Sequence, residues 1–237
     1  ELPSPLDSLL TETDPRSRSF RHNIRMYNSA LAFTSIGAKI DPEVTGTSGI
    51  YTFRIHGEMY HRIGTLLPDI ETQPQFAQIY IFDTDNELQN RLNIMPRLDS
   101  TILIELQQML HDINPYVNVF QQAANLLRHD QSLELKLIIT DNRTKDLRRY
   151  NAPNASEVAI IMVGNAQGAE QLNRDIVLHT REGGLQRISE LHCSYAPLHY
   201  VLMFPRGEDG WHPDIPISDT SNIQDEEESD INNEDEE

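Results

Sequence analysis

The stretch 99–130, DSTILIELQQMLHDINPYVNVFQQAANLLRHD, carries the clearest helical pattern in this sequence. Its first half repeats apolar residues at spacings of three and four, at Leu103, Leu106, Leu110 and Ile113. Such spacing predicts a helix with one apolar face, and Asp99-Ser100 can cap its start. Asn114-Pro115 then begins a second helix. Its apolar face holds Tyr116, Phe120, Ala123 and Leu127. Two helices with almost no loop between them predict an αα-hairpin or a sharp kink.

A third helix is predicted nearer the N-terminus, over residues 15–36. Asp14 can cap it, Pro15 suits its first turn, and Gly37 is placed to end it. Its apolar stripe consists of Phe20, Ile24, Tyr27 and Leu31. Residues 1–14 are predicted to be a flexible lead-in to this helix.

Strand-like patterns lie on both sides of the helical block. Strand-length apolar runs are found at 50–63, 76–82, 133–139, 158–163, 176–179 and 198–204. A turn is predicted within the first run at Gly57-Glu58, and a short helix over 86–93. Because strands and helices do not alternate regularly, the order predicts an α+β fold. We expect mixed, mostly antiparallel strands with a central helical block, in a single domain over residues 15–216.

The negative charge is concentrated at one end of the chain. The sequence holds 19 Lys and Arg against 37 Asp and Glu, for a net charge of -18. Residues 219–237 contain ten acidic residues and no Lys or Arg, so the remainder carries a net charge of -8. Few apolar residues and many like charges predict that residues 217–237 are a disordered acidic tail. The overall acidity excludes a wholly basic, histone-like binder of nucleic acid.

Missing motifs exclude several classes of function. Neither a P-loop nor a G-x-S-x-G elbow occurs, and the nearest glycine-containing stretch, 164–170, lacks the P-loop lysine. No apolar run approaches the ~20 residues of a membrane helix, and residues 1–5 lack the pattern of a secretory signal. The single cysteine, Cys193, forbids an internal disulfide and indicates a reducing compartment. We expect a nuclear or cytoplasmic protein that is not secreted and has no membrane partner. The absence of an initiator Met suggests a fragment of a longer protein.

Cysteine and histidine residues offer two weak patterns for chemistry. Cys193 beside His192 has the residue types of a thiolate and its base, but adjacent residues on a strand point to opposite faces. Two sets of residues have the types that hold zinc: His56, Glu58 and His61, and His192, Cys193, His199 and His212. Neither set has the close spacing of a zinc motif, and partly buried histidines bonded to the backbone are the alternative. We therefore predict no catalytic residue, no metal and no cofactor.

Basic residues cluster at two places. The first cluster lies on the predicted helix 15–36 and consists of Arg16, Arg18, Arg21, His22 and Arg25. The second lies in a polar loop and consists of Arg143, Lys145, Arg148 and Arg149, with Tyr150 adjacent. Arginine and lysine bind phosphates, and an aromatic neighbour suits the stacking of single-stranded bases. A salt-bridged helix face and an ordinary solvated loop are the alternatives.

Several long blocks of the sequence resemble one protein family. They include FRHNIRMYNS at 20–29, YTFRIHG at 51–57, FAQIYIFD at 76–83, GGLQRISELH at 183–192 and FPRGEDGWHP at 204–213. These blocks strongly resemble the amino-terminal region of Helitron helicase-like proteins, the rolling-circle transposases of eukaryotic Helitron elements, over residues 15–215. In that family a nuclease with a His-hydrophobe-His motif and catalytic tyrosines follows, and then a helicase related to the Pif family. Neither set of motifs occurs here, so no family catalytic residue is carried over, and Tyr195 and Tyr200 are expected to be core aromatics.

The resemblance and the basic clusters lead to one functional hypothesis. The chain would be a noncatalytic module that positions a transposase on DNA or on a partner. Single-stranded DNA and the transposase's own downstream domains are the expected partners. A protein-interaction module whose acidic tail binds a basic partner and an inactive transposon relic are the alternatives. A metal-dependent nuclease using the scattered histidines is a further one.

Overall fold

The computed structural model describes residues 1–40, 55–130, 133–139, 159–163, 175–181 and 183–215. Over these residues the protein has an α+β fold, as the sequence predicted, with helices and two small antiparallel sheets sharing one apolar core. The predicted acidic tail and the basic loop 143–150 lie outside the described residues.

The described residues contain five α-helices, and all but the first begin close to where the sequence predicts. They are α1 (Leu6–Thr11), α2 (Pro15–Leu31), α3 (Glu87–Ile94), α4 (Ser100–Ile113) and α5 (Pro115–His129). The side chains of Asp14, Asp99 and Asn114 each accept hydrogen bonds from two backbone amides of the following turn. Asn114 also ends α4, so one residue forms the whole junction between α4 and α5. The three predicted capping residues are therefore confirmed, as is the near absence of a loop between α4 and α5.

The strands form two separate three-stranded sheets. The first contains β1 (Ser35–Ile40), β2 (Ile55–Ile63) and β6 (Gln186–Arg187), in the order β1-β2-β6. The second contains β3 (Leu135–Ile139), β4 (Ala159–Val163) and β5 (Ile176–His179), in the order β4-β3-β5. All four strand pairs are antiparallel. The strands of the second sheet confirm three predicted runs, whereas β1 and β6 of the first sheet are not among the predicted runs.

The end of α2 was predicted wrongly. The helix stops at Leu31 rather than near residue 36, because Phe33 turns into the core and its backbone N–H donates to the carbonyl of Leu198, 2.9 Å away. Gly37 does not end the helix but lies within β1. A Cβ added there would be 2.5 Å from a ring carbon of Tyr60, so glycine is required by the close approach of a side chain.

The predicted flexible lead-in contains α1. Leu6 and Leu9 on this helix are fully buried and belong to the core. A six-residue helix is not stable on its own, because nucleation costs more than so few hydrogen bonds return. Packing of Leu6 and Leu9 against the rest of the fold therefore stabilises α1. The local sequence pattern alone does not predict this helix.

Three predictions of extended or turn structure are corrected. The run at 76–82 is not a strand: residues Phe76–Tyr80 form a 3-10 helix, started by a capping box between Gln75 and Gln78. The turn predicted at Gly57-Glu58 does not occur, because β2 runs through both residues and pairs with β1 on either side of them. The apolar run 198–204 is a series of turns rather than a strand.

The core is centred on aromatic rings from distant parts of the chain. The Phe33 ring lies 5.0 Å from that of Tyr80, 5.2 Å from that of Phe120 and 6.0 Å from that of Tyr116, measured between centroids. The Tyr80 hydroxyl donates to the carbonyl of Leu31 at 2.7 Å. Tilted rings at these distances add to the stability gained from burial alone. The segment just after α2 is thus held by α5 and by the 3-10 helix.

A charged side chain is also built into this core. Arg91 is 1% exposed; its Nε donates to the carbonyl of Ala30, and its Nη1 donates to Glu87 at 3.1 Å and to Gln107 at 2.9 Å. The guanidinium also lies 4.4 Å from the centre of the Tyr80 ring. These contacts join α3 to α2 and α4, and they replace part of the water that the charge loses on burial. Arg91 Nη2 and Glu87 Oε1 are buried without a hydrogen-bond partner among the described residues.

Candidate nucleic-acid interface

The predicted phosphate-binding loop lies outside the described residues. Arg143, Lys145, Arg148, Arg149 and Tyr150 all fall within it. Their role in contact with nucleic acid stays a prediction.

Two arginines of the first basic cluster have structural partners. Arg16 Nη2 lies 2.5 Å from Glu105 Oε2, which joins α2 to α4. Arg21 Nη1 donates to the carbonyls of Leu9, Leu10 and Glu12 at the end of α1. A cation is favourable there because the carbonyls at a helix C-terminus carry partial negative charge. These two arginines are therefore bound within the fold. For them the structure matches the alternative to phosphate binding, a helix face whose charges have partners in the protein.

The rest of that cluster forms an exposed basic stripe. Arg18, His22 and Arg25 are exposed and lie four and three residues apart, which places them on one face of α2. Arg25 lies at a shallow groove of about 290 Å³, which Arg97 borders from the connection between α3 and α4. The floor is mostly apolar, and we call the site the methionine groove: Arg25, Met26, Ser29, Ile94, Met95, Pro96 and Arg97. Within the described residues, Arg18, Arg25 and Arg97 make no ion pair.

A second basic surface, which sequence reasoning missed, lies on the first sheet. Tyr60 and Arg62 are two residues apart on β2 and so share a face, and Arg62 is paired directly with Arg187 on β6. The Cζ atoms of Arg62 and Arg187 lie 4.8 and 4.9 Å from the centre of the Tyr60 ring. Arg62 Nη2 also donates to the Tyr60 hydroxyl. We call these three residues the arginine–tyrosine face.

The electrostatics of this face are unfavourable for the fold. Like charges placed directly opposite each other on neighbouring strands destabilise a sheet. The Tyr60 ring and Glu190, whose Oε2 lies 3.4 Å from Arg187 Nη2, offset part of that repulsion. The pair with Glu190 is solvent-exposed, so it contributes little. Two guanidinium groups on one face of the sheet form a positively charged surface that attracts anions.

A cavity of about 290 Å³ adjoins the arginine–tyrosine face. Arg62 forms part of its wall, together with the half-buried Phe76, and the fully buried Phe33 lies behind it. Most other lining groups are small or polar, including Ser35, Thr65, Thr72, Gln75 and Gln78, and Asp69 adds one carboxylate to the lining. Pockets for small ligands start at roughly 300 Å³, so this one suits a group no larger than a single nucleotide.

Phe76, at the edge of this cavity, has a strained backbone. Its φ of 53° places it in the left-handed region, which a bulky residue rarely adopts. The neighbouring capping box maintains the conformation, because Gln78 accepts from the Gln75 amide and donates to Thr65 and Leu67. Strain of this kind is concentrated at binding sites, where it positions a side chain.

Histidines from both predicted metal sets meet in a buried stack instead of a metal site. The His61 ring lies 4.2 Å from that of His199 and 4.0 Å from that of Tyr195, between centroids. His61 Nδ1 is 3.0 Å from the Tyr195 carbonyl, and His199 Nδ1 is 3.1 Å from the Thr34 carbonyl. Burial, with a smaller effect of His199, lowers the pKa of His61 to about 4, and burial also lowers the pKa of His199. Both rings are therefore neutral donors to backbone at pH 7, which is the alternative that the sequence left open.

The other residues that the sequence singled out are the remaining metal ligands, the Cys193–His192 pair and two tyrosines. Within the described ranges, no three His, Cys, Asp or Glu side chains are grouped so that they could hold a metal. Cys193 is buried, and His192 Nδ1 accepts a hydrogen bond from the backbone amide of Ser194. Tyr195 stacks on His61, but Tyr200 is 40% exposed, so the expectation that Tyr200 is a core residue is wrong.

Comparison with known proteins gives no family assignment. No protein-family model matches the sequence, and no curated protein or solved structure matches it. The likeness to Helitron proteins therefore rests on the sequence blocks alone. Among the helices of the described part of the chain, none is long and apolar enough to cross a membrane.

Proposed function

We propose that this chain is a noncatalytic module of a Helitron helicase-like protein that binds single-stranded DNA. The arginine–tyrosine face would hold the phosphate backbone, and domains outside this chain would perform the chemistry. The family context comes from the sequence blocks. The binding role is supported most strongly by one observation, the direct pairing of Arg62 with Arg187 beside the Tyr60 ring.

Two properties, the paired guanidinium groups and the adjoining cavity, favour nucleic acid over other anions. Two guanidinium groups on one face can each donate to a phosphate, and arginine forms these charge-assisted bonds in fixed geometry. The adjoining cavity, with the half-buried Phe76 in its wall, offers one aromatic ring to a base. Stacking of a base on an aromatic ring contributes about 1–3 kcal/mol and tolerates any sequence. The expected binding is therefore sequence-tolerant.

A single-stranded ligand fits this surface better than a duplex. A base in a duplex is stacked on its neighbours and cannot enter a side cavity without being flipped out, which costs a few kcal/mol. In a single strand the bases are free to turn toward Phe76 while the phosphates lie along Arg62 and Arg187. Affinity for a mixed-sequence single strand should thus exceed that for the matching duplex.

Fluorescence anisotropy with a labelled single-stranded oligonucleotide tests this proposal. Arg62→Ala with Arg187→Ala should weaken binding about tenfold to a hundredfold, because each loses a bond to a charged phosphate. Arg206→Ala is the matched control, since Arg206 is exposed and lines neither the arginine–tyrosine face nor its cavity. Equal affinities of the double variant and the control, with unchanged thermal unfolding, would contradict the proposal. Arg148→Ala with Arg149→Ala tests the predicted loop separately.

A second candidate function, a protein-interaction module, is favoured by the methionine groove. Its rim is basic but its floor is apolar. Because an apolar floor cannot hydrogen-bond a phosphate, the groove suits a protein segment better than a nucleic-acid backbone. A groove of that composition suits a peptide that carries both an apolar and an acidic side chain.

A further inference from the structure

The methionine groove combines an apolar floor with unpaired positive charge. Met26 and Met95 line the floor, and Ile94 leaves 40% of its surface exposed beside them. Arg25 and Arg97 stand at the rim, exposed and without an ion pair in the described part of the chain. Methionine side chains adapt to differently shaped partners, which suits a surface that accepts a flexible peptide. A ligand that fits both the apolar floor and the two rim arginines has one apolar side chain flanked by carboxylates.

The chain contains a segment of that composition outside the described residues. Residues 219–237 hold ten acidic residues and no Lys or Arg, and Ile223 and Ile231 are their two large apolar residues. Ile231 has Asp230 directly before it and four acidic residues at 234–237 after it. We propose that this segment binds the methionine groove of its own chain, with Ile231 between Met26 and Met95.

The length of the connection permits binding within one chain. At about 3.3 Å per extended residue, residues 216–231 can span roughly 50 Å. A compact domain of about 215 residues has a radius of gyration of only about 17 Å. Because a short tether gives an effective concentration in the millimolar range, even a weak intrinsic affinity keeps the groove occupied.

The charge balance favours this site over the rest of the surface. Outside the tail the chain carries a net charge of -8, which repels an acidic segment on average. At physiological ionic strength that repulsion is screened beyond about 8 Å, so the local charge decides. Arg25 and Arg97 provide two cations at the groove, Arg18 lies about two helical turns from Arg25 on α2, and no acidic side chain of the described residues lines the groove.

Methionine-methyl NMR on the full chain tests the proposal directly. A nitroxide is attached at Ser229→Cys in a Cys193→Ser background, so that Ile231 is kept. We expect the methyl signals of Met26 and Met95 to lose intensity. Met59 and Met203, which are 55% and 71% exposed, should keep theirs and serve as internal controls.

Two sets of variants separate specific binding from general attraction. Charge reversal at the rim, Arg25→Glu with Arg97→Glu, should restore the lost signals, whereas Arg206→Glu should not. Ile231→Ser should restore them more fully than Ile223→Ser. About 1 M salt, where the Debye length falls to about 3 Å, should also restore them.

Three outcomes would overturn the proposal. Equal loss at all four methionines means that the tail moves freely around the fold. Loss at Met59 alone means that the tail lies near the first sheet. Loss seen when nitroxide-labelled chains are mixed with separate isotope-labelled chains means that the tail binds a second copy. None of these measurements involves nucleic acid, so they do not depend on the proposed DNA binding.

Discussion

Mild acid should destabilise the fold through the stacked pair His61 and His199. Burial is the main cause that lowers the pKa of His61 from 6.5 to about 4. In the unfolded chain a histidine binds a proton below about pH 6.5, whereas folded His61 stays neutral down to about pH 4. The unfolded state therefore holds more protons across that window. Stability that is complete above pH 6.5 is lost as the pH falls toward 4.

The size of this effect follows from the pKa shift. A shift from 6.5 to about 4 in the folded state corresponds to about 3 kcal/mol at most. Screening by solvent near the partly enclosed stack reduces the expected loss to about 2 kcal/mol. His61→Gln keeps an N–H that can donate toward the Tyr195 carbonyl but removes the titration. Between about pH 7 and pH 4.5, wild type should lose about 2 kcal/mol more than this variant.

Urea unfolding at the two pH values measures the difference. Carboxylates also titrate in this window, so only the comparison between wild type and His61→Gln isolates the histidine. His22→Gln replaces an exposed histidine and should retain the wild-type pH dependence. If His61→Gln and wild type lost the same free energy of unfolding, the assignment of a neutral, buried His61 would be wrong.

Three further changes test the packing around the core and the first sheet. Arg91→Met should lower the free energy of unfolding by about 3–5 kcal/mol in urea titrations, because buried Glu87 loses its guanidinium partner and keeps the contact with His111. Adding Glu87→Gln should recover part of that loss, and no recovery would contradict the pairing. Gly37→Ala should cost about 1–3 kcal/mol, because the new Cβ meets the Tyr60 ring; an unchanged thermal midpoint would refute this contact. Glu71→Gly should stabilise the fold by about 1 kcal/mol, because exposed Glu71 has a φ of 65°, and calorimetry showing a loss would rule out backbone strain there.

The starts of α2, α3, α4 and α5 were predictable because their signals are local, whereas α1 depends on tertiary packing. Asp14, Asp99 and Asn114 cap the turns that follow them, and the spacing of apolar residues identifies the buried face of each helix. The 3-10 helix Phe76–Tyr80 was not predictable, because its aromatic residues favour a strand and only tertiary contacts decide otherwise. Tyr80 is buried through its bond to the Leu31 carbonyl, which lies far away in sequence.

The candidate interface was only partly predictable for the same reason. The stripe of Arg18 and Arg25 follows from helical spacing, which a sequence displays directly. The arginine–tyrosine face joins β2 to β6, and the sequence does not show that Arg187 pairs with Arg62. The alternation of Tyr60 and Arg62 on a predicted strand was the available signal, although it identifies only half of the face.

The salt dependence of single-stranded DNA affinity tests the central proposal most directly. The logarithm of affinity falls with the logarithm of salt concentration by about 0.7 for each phosphate that a protein cation neutralises on a single strand. Arg62→Ala with Arg187→Ala should therefore reduce the slope by about 1.4, while Arg206→Ala leaves it at the wild-type value. A double variant with the wild-type slope would show that these two arginines do not contact phosphate.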